Sequence, residues 1–395
     1  MSWIALKMLM GDRAKFLGIV MGLTFSALLI MQQGSIFCGL MRRTAGQIID
    51  ITGADLWVMD PNVRFIDDVK PMIENNLYRV RGVDGVLWAV PLYKGQARAK
   101  LNSYDRTGKK QEVIEQVILI GLDDSSMVGA PPPSRILAGS RQALRRPDAI
   151  IIDKNRLPKL FPNQSKETYE NYEWFVGKEL EMNDHRAIIV GVCEATRTFQ
   201  SNPVVYTTYS RAKLFAPQER KILSYVLAKT EPGRQPEVVA EQIRRQTGLG
   251  ALTSEQFIWK TMGYYFKYTG IPINFGITAA LGFLVGTAIA GQTFYNFTLE
   301  NLKQFGALKA MGATNIRIVK MILLQATVVG LLGYGIGVGL GALFGMVNEG
   351  TELAFFPYWP ILPITAVAVV LICILASLVS VRRVIVLEPA VVFRG

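Results

Sequence analysis

The sequence has only one histidine and three cysteines in 395 residues. Cys38, Cys193 and Cys373 give no disulfide framework, because two lie at or in different apolar segments and one lies in a polar region. His185 stands in an Asn-Asp-His-Arg stretch that is typical of a hairpin turn, and it has no partner for a catalytic dyad or a zinc site. A membrane-anchored enzyme is therefore the weakest of the possible functions.

A phosphate-binding loop is also missing, since Gly-x-x-x-x-Gly-Lys-Ser/Thr occurs nowhere in the sequence. The chain is therefore not expected to be an ATPase. Asp123 and Asp124 stand beside two serines and offer carboxylates to a cation, but a turn after a strand is the simpler interpretation. We predict no cofactor, no metal site and no nucleic-acid partner for this chain.

Four long stretches contain no charged residue, although 19% of all residues are charged and 50% are hydrophobic. They lie at 16–39, 271–295, 321–347 and 361–381. At a rise of roughly 1.5 Å per residue, each is long enough to cross a hydrocarbon layer about 30 Å thick. We predict four transmembrane helices. The first exceeds the apolar core of about 7–15 residues found in signal peptides and lacks a small-x-small cleavage site, so it is interpreted as retained.

Ionisable side chains are absent from these four spans. Proton-coupled and ion-coupled carriers usually keep such a group within the bilayer, so a secondary transporter is disfavoured. Gln292 and Gln325 are the kind of polar residue that joins neighbouring membrane helices.

Basic residues indicate the orientation of the spans. They cluster before the first span, between the second and third, and after the fourth: Lys7, Arg13, Lys15, Lys303, Lys309, Arg317, Lys320, Arg382, Arg383 and Arg394. The loop at 348–360 has Glu349 and Glu352 and no basic residue, so both termini are predicted to be cytoplasmic. Arg42 and Arg43 argue against this orientation, but they begin a large domain, and the translocation of large domains depends little on charge. The net charge of +12 is interpreted mainly as this topology signal, with a specific anionic-lipid site as the minor alternative.

Residues 42–265 have the composition of a soluble domain. Strands are predicted at 55–59, 85–90, 116–121, 149–153, 186–192 and 224–229, and helices at 67–78 and 236–247. A Pro-Pro-Pro run and a polar stretch at 163–171 interrupt this pattern, so we expect an inserted subdomain around 105–215.

The predicted fold is a membrane protein, α-helical with four transmembrane helices, plus a large α+β extracytoplasmic (periplasmic) domain inserted between helices 1 and 2. Residues 1–41 hold an amphipathic N-terminal segment and the first span. Residues 266–395 hold the other spans, a cytoplasmic helix at 300–314 and a cytoplasmic tail.

Glycines recur at helical spacing within the spans. They form a row at Gly333, Gly337, Gly341 and Gly345, a parallel row at Gly335 and Gly339, and a row at Gly282, Gly286 and Ala290, with Gly18 and Gly22 in the first span. Such rows let another helix approach closely. Packing within one subunit and a dimer interface are equally good interpretations.

The loop after the second span predicts a short amphipathic helix. Leu302, Phe305 and Leu308 recur at helical spacing beside Lys303 and Lys309, and a Gly-Ala-Thr stop follows. Outside the membrane, the apolar side of this helix needs to be covered by lipid headgroups or by a partner protein.

This loop resembles a signature of the FtsX/MacB/LolC-type ABC transporter permeases. Their segment Arg-Glu-Ile-Gly-Ile-Leu-Lys-Ala-Leu-Gly-Ala is similar to Lys303-Gln-Phe-Gly-Ala-Leu-Lys-Ala-Met-Gly-Ala313. Gln304 replaces the acidic residue of that segment, so the salt bridge which that residue makes to the ATPase is in question. The tail Leu387-Glu-Pro-Ala-Val-Val-Phe-Arg394 and the strand pair at 177–182 and 188–192 also resemble this family.

The resemblance implies a DevC-like or MacB-like permease subunit in a bacterial inner membrane. Its partners would be ABC ATPase subunits, which bind ATP and Mg, a second copy or a sister permease, membrane lipids, and a periplasmic adaptor with an outer-membrane channel. Contact with the ATPase is expected at Leu302, Lys303, Phe305, Gly306, Leu308, Lys309 and Gly312, and helix packing at Gly282, Gly286, Gly333, Gly337, Gly341 and Gly345.

The implied function is mechanotransmission. ATP-driven movement of the ATPase subunits would move the extracytoplasmic domain, for export or extraction of a lipid, lipoprotein, peptide or small molecule. The alternative is an FtsX-like regulator that activates an extracytoplasmic cell-wall hydrolase. The substrate is not indicated by the sequence.

Overall fold

The computed structural model describes residues 2–104, 110–162, 164–216, 222–349 and 351–386. The chain divides into two compact units. We call Met1–Leu40 together with Gly270–Gly395 the helical unit, and Met41–Thr269 the inserted domain. The tail at 387–394 and residue 163 lie outside the described residues.

The helices are α1 (Ser2–Gly11), α2 (Arg13–Thr44), α3 (Gly46–Asp50), α4 (Asn75–Arg81), α5 (Leu157–Leu160), α6 (Lys166–Glu170), α7 (Tyr209–Phe215), α8 (Pro236–Thr247), α9 (Ser254–Tyr268), α10 (Ile271–Glu300), α11 (Leu302–Ala310), α12 (Asn315–Val347) and α13 (Ile361–Val386). The strands are β1 (Leu56–Met59), β2 (Val86–Tyr104), β3 (Lys110–Leu122), β4 (Ile136–Gly139), β5 (Ala149–Asp153), β6 (Glu179–Met182), β7 (His185–Cys193), β8 (Val204–Thr208), β9 (Tyr225–Thr230) and β10 (Gly250–Thr253).

Four helices of the described chain, α2, α10, α12 and α13, are long and apolar enough to cross a membrane. They contain the four apolar stretches that the sequence predicts as spans. Small side chains contribute where these helices meet, among them Ala27, Ala290, Ala326 and Ala376, which are all buried. Close approach between helices is what such residues permit in a membrane, where apolar burial alone gives little association energy.

The strands of the inserted domain form one sheet in the part of the chain that the structure describes. The order is β10-β1-β9-β2-β3-β8-β5-β7-β4, and β6 pairs with β2 and β7. Strand β2 joins two halves, since its residues 86–92 pair with β9 and its residues 93–104 pair with β3. The second half shares this strand and the hydrophobic core with the first half, within one compact unit. The inserted subdomain expected around 105–215 stays a prediction.

Both faces of the sheet are buried. In β1, Leu56 and Val58 lie in one hydrophobic cluster with α4, α7 and α8, whereas Trp57 and Met59 lie in the opposite cluster with α3 and α9. A strand that is buried on both faces is apolar at every position rather than at alternate ones. The continuous apolar runs at 149–152 and 225–228 have this cause.

The predicted elements are mostly confirmed. All six predicted strands are present, and α8 has the predicted bounds Pro236–Thr247. The helix predicted at 67–78 is wrong, because helical structure begins at Asn75. Pro71 disfavours a helical conformation in the residue before it, and Asp67 and Asp68 bind Lys94 and Arg64 instead.

Two polar motifs of the sequence are turns. Asn183 and Asp184 have φ of 46° and 67° and link β6 to β7, so His185 belongs to a hairpin, as predicted. The carboxylate of Asp123 accepts hydrogen bonds from the Ser125 hydroxyl at 2.6 Å and the Ser126 amide at 2.8 Å, which confirms the turn there.

Candidate functional site

The predicted loop helix is present as α11, and it begins directly after the second apolar helix. Only Asn301 separates α10 from α11. Its side-chain amide donates to the Phe297 carbonyl at 2.8 Å, and its own carbonyl accepts from the Phe305 amide at 3.0 Å. One residue therefore ends one helix and starts the next.

Gly312 ends α11 in a left-handed conformation with φ of 91°. The Gly312 amide donates to the Lys309 carbonyl and the Ala313 amide donates to the Leu308 carbonyl, both at 2.9 Å, which is the Schellman arrangement. A Cβ at Gly312 would meet no described atom within 4 Å. Glycine is thus needed here for its backbone conformation, and the expected contact of Gly312 with an ATPase stays a prediction.

The apolar side of α11 is covered by the chain itself. Phe305 is 0% exposed, and Leu308 and Gly306 are also buried. The cluster around them contains Ala5, Ala313, Ile318, Met321, Ile322 and Val384, from α1, α12, α13 and the α11–α12 link. In the single chain, α1, α12 and α13 thus already cover Phe305 and Leu308, and the expected contact of Phe305, Gly306 and Leu308 with an ATPase stays a prediction.

Lys309 also has an internal role. Its ammonium group donates to the carbonyls of Val384 at 2.7 Å and Ile385 at 3.0 Å, near the end of α13. A cation is favourable at the carboxyl end of a helix, where carbonyl groups lack helical partners. Lys309 thus fixes α11 to α13.

The opposite side of α11 is exposed. Lys303 and Gln304 are exposed there, and Leu302 is half-buried. Met311 is 76% exposed and Ile316 is 69% exposed, and Arg317 is exposed beside Ile316. We call Lys303, Met311, Ile316 and Arg317 the loop surface. Large apolar side chains exposed among cations are typical of a protein contact.

The sequence pattern does not indicate Met311 and Ile316. Met311 follows Leu308 by three residues, so helical spacing assigns it to the buried side, but the chain leaves the helix at this residue. The signal that could have identified it is Gly312, which predicts the end of the helix.

The start of α2 is tied to the end of α10. The ammonium group of Lys15 bonds Asp12 at 2.7 Å and also bonds Glu300. Nearby, the Gln325 amide group donates to the Ala5 carbonyl at 2.7 Å, so α1 packs on α12. This confirms that Gln325 joins helices.

The row of Gly333, Gly337 and Gly341 packs inside the subunit. A Cβ at Gly337 would lie 2.6 Å from the Ala27 Cβ and 2.7 Å from the Thr24 carbonyl oxygen, both in α2. Gly333 meets Leu23 and Gly341 meets Met31 in the same way, and Gly345 faces Phe355. These contacts favour the first of the two interpretations of this row.

The glycines of α10 pack on α2 as well. A Cβ at Gly282 would lie 3.2 Å from the Leu29 Cβ, and Gly286 faces the Ser26 side chain. Ser26 donates to the Gly282 carbonyl at 2.9 Å across the two helices. From the other side, Gly22 of α2 faces Ile289.

The row of Gly335 and Gly339 has no such contact with the described part of α2. A Cβ at Gly335 or Gly339 would meet none of the described atoms within 4 Å. Ile336 and Leu340 on this side are 47% and 43% exposed. Gly335 and Gly339 therefore lie on a side of α12 that is open in the single chain.

No group of His, Cys, Asp and Glu residues suited to a metal occurs among the residues described. Cys38, Cys193 and Cys373 are free thiols. Burial raises the pKa of the Cys193 thiol well above its ordinary value, which makes it unreactive at neutral pH.

Family models match the chain in both units. The MacB-like periplasmic core domain matches residues 16–246, and the FtsX-like permease C-terminal domain matches residues 253–389. The chain belongs to the FtsX/MacB family of ABC transporter permeases. In this FtsX/MacB permease, α11 and the loop surface lie within the FtsX-like part.

Curated relatives of this permease are similar over part of the chain. An uncharacterized ABC transporter permease of Methanocaldococcus jannaschii is 26% identical over 183 residues, which are 44% of this chain and 44% of that protein. An uncharacterized ABC transporter permease of Mycobacterium bovis is 32% identical over 123 residues, which are 30% of this chain and 33% of that protein. The chain thus spans less than half of the length of these relatives.

Two solved structures resemble the permease at low identity. The extracellular domain of the noncanonic ABC-type transporter YknZ from Gram-positive bacteria has a TM-score of 0.33 and 17% identity, covering 51% of this chain and 98% of that one. The periplasmic region of MacB from Actinobacillus actinomycetemcomitans has a TM-score of 0.36 and 13% identity, covering 56% of this chain and 96% of that one.

Proposed function

We propose that this permease converts ATP-driven movement of partner ATPase subunits into movement of its inserted domain. Its use would be export or extraction of a lipid, lipoprotein, peptide or small molecule. The observation that carries the proposal is the packing of α11, which is exposed on one side and fixed to three helices on the other. A push on the exposed side is passed to α1, α12 and α13 because close-packed side chains are nearly incompressible.

The ATPase is proposed to bind the loop surface. Met311 and Ile316 supply apolar contacts, and Lys303 and Arg317 supply charge that steers an acidic groove. The positive-inside rule supports a cytoplasmic position for this surface and for both termini, in a bacterial inner membrane.

A second copy or a sister permease is proposed to pack against Gly335 and Gly339. Both glycines are open in the single chain and lie one helical turn apart. Two such rows allow close backbone approach between helices in a membrane.

Co-purification with the cognate ATPase tests the loop surface. Met311→Glu and Ile316→Glu change exposed residues, so the permease should fold normally and lose the ATPase. A charge at the centre of a protein contact costs several kcal/mol. The matched control is Lys166→Glu, on an exposed residue of the inserted domain.

The result for Phe305 separates docking from folding. Phe305→Ala should lower the thermal stability of the permease by roughly 3–5 kcal/mol, because it empties a buried site. If both glutamate variants retain the ATPase and its transport activity, the loop surface is not the coupling contact. If the permease instead recruits a cell-wall hydrolase without transport, the regulator becomes the better interpretation.

A further inference from the structure

The inserted domain has an open cavity of about 710 Å³ on α9, the helix that leads into α10. Its charged and aromatic lining is Arg64, Lys70, Lys260, Tyr264, Lys267 and Tyr268. Helix α9 has a fixed start, because Thr253 and Gln256 form a capping box.

Three of the four cations in this cavity have no carboxylate within 4.0 Å among the residues that the structure describes. Arg64 bonds Asp68 at 2.8 Å and lies over the Tyr264 ring at 5.3 Å. In the described part of the chain, no carboxylate lies within 4.0 Å of the ammonium groups of Lys70, Lys260 or Lys267. The nearby Asp67 bonds Lys94 instead. The cavity therefore has an excess of positive charge, which attracts an anion.

Partial burial lowers the pKa of Lys260, although Asp68 acts in the opposite direction. An ammonium group that has lost part of its water and has no direct partner gains more than an exposed one from a bound anion.

Aromatic side chains surround the cations on the same helix. Trp259 is 66% exposed, Phe266 is 62% exposed and Tyr268 is 65% exposed. Tyr264 stacks on Phe65, with ring centroids 4.1 Å apart. Exposed tryptophan and tyrosine are characteristic of the membrane–water interface, where the ring contacts both apolar and polar surroundings.

The chain itself brings these residues near the membrane. Only Thr269 and Gly270 separate Tyr268 from Ile271, the first residue of the apolar helix α10. Three residues of extended chain span at most about 11 Å. The end of α9 must therefore lie within about 11 Å of the start of α10.

We propose that this cavity binds the phosphate headgroup of an anionic phospholipid in the leaflet next to the inserted domain. Lys70, Lys260 and Lys267 pair with the phosphate, and Tyr264 and Tyr268 border the glycerol. The proposal does not depend on ATPase docking, since it concerns residues of the inserted domain alone.

The test uses the full chain in nanodiscs with a phosphatidylglycerol probe that carries a photoreactive headgroup. Peptide mapping should place adducts on 259–268 in the wild type. Lys70→Gln/Lys260→Gln/Lys267→Gln should weaken labelling on the order of a hundredfold, at about fivefold per lysine. Lys166→Gln/Lys178→Gln/Lys213→Gln removes equal charge elsewhere in the domain and should leave labelling unchanged. Thermal unfolding checks that both variants are folded.

A second variant tests the aromatic residues without a change of charge. Trp259→Ala/Tyr268→Ala should also reduce the adducts on 259–268. Several outcomes overturn the proposal: no adduct on this segment, equal labelling by a phosphatidylcholine probe, or equal labelling of the lysine variant. Displacement by millimolar inorganic phosphate would assign the cavity to a soluble anion, and protection that requires a second copy or another protein would make it a protein contact.

Discussion

Replacing Gly337 with alanine should destabilise the helical unit, whereas the same change at Gly339 should not. The added Cβ at Gly337 would lie 2.6 Å from the Ala27 Cβ, 2.7 Å from the Thr24 carbonyl oxygen and 3.0 Å from the Leu28 amide nitrogen. Two of these three atoms belong to the backbone of α2 and cannot rotate away. Helix α12 must therefore move away from α2 by roughly 1 Å, the distance that restores ordinary contact.

The two changes have the same local effect on helix formation. Alanine stabilises a helix interior by about 1 kcal/mol relative to glycine, at either position. Overpacking at Gly337 costs about 1–3 kcal/mol, and at Gly339 no described atom lies within 4 Å of the new methyl group. The difference between the two variants in the free energy of unfolding is thus the overpacking cost alone, about 1–3 kcal/mol.

Unfolding of the full chain in mixed micelles, titrated with sodium dodecyl sulfate, measures this difference. Gly333→Ala is a second arm, because its Cβ would lie 2.6 Å from the Leu23 Cβ. Equal stability of Gly337→Ala and Gly339→Ala would refute the close packing of α12 on α2. A greater loss of stability in Gly339→Ala than in Gly337→Ala would show that the row of Gly335 and Gly339 is the one in tight contact.

Three other substitutions test the inserted domain and α11. Burial raises the pKa of Asp153 to about 6 from 3.8, so the folded domain binds the proton more tightly than the unfolded chain does. The free energy of unfolding should therefore fall by about 2 kcal/mol between pH 4 and pH 6, and Asp153→Asn should remove this slope in denaturant titrations. The Lys94 ammonium group lies 2.6 Å from the Asp67 carboxylate, and Lys94→Met leaves that carboxylate without its cation. Thermal unfolding of Lys94→Met should show a loss of about 3 kcal/mol in the free energy of unfolding. The double variant Lys94→Met/Asp67→Asn should recover most of this loss. Gly312→Ala should lower stability by about 1 kcal/mol through its φ of 91°, with Gly312→Asn less harmful; equal stability of all three proteins would contradict the Schellman ending.

Sequence patterns predict the elements of this fold better than their connections. The long apolar helices and strands such as β5 and β9 are evident, since each is a run of apolar residues that no loop would carry. Strands β4, β8 and β10 are not predicted, because each is short and contains glycine or threonine, which interrupts the run of apolar residues. The parallel pairing of β3 with β8 joins residues far apart in sequence, and only packing determines it.

The candidate site shows the same limit. The sequence predicts the position of α11 and its apolar stripe, but periodicity cannot say which molecule covers that stripe. Phe305 and Leu308 are covered by α1, α12 and Val384 of α13, and of these only α12 follows α11 directly in the sequence. Likewise, Gly337 and Gly339 have the same residue type in the same helix, and only the position of α2 distinguishes them.

The joint at Asn301 has a consequence for how the chain tolerates change in length. Most connections between helices contain two to eight residues, and those residues take up an insertion without disturbing either helix. Here a single residue caps α10 and starts α11, so there is no spare length of chain between them. An inserted residue must therefore unwind a turn of α10 or of α11. A displacement of α11 is likewise transmitted to the end of α10, because no flexible residues lie between the two helices. Asn301 is thus a rigid connection between α10 and α11 and not a flexible linker.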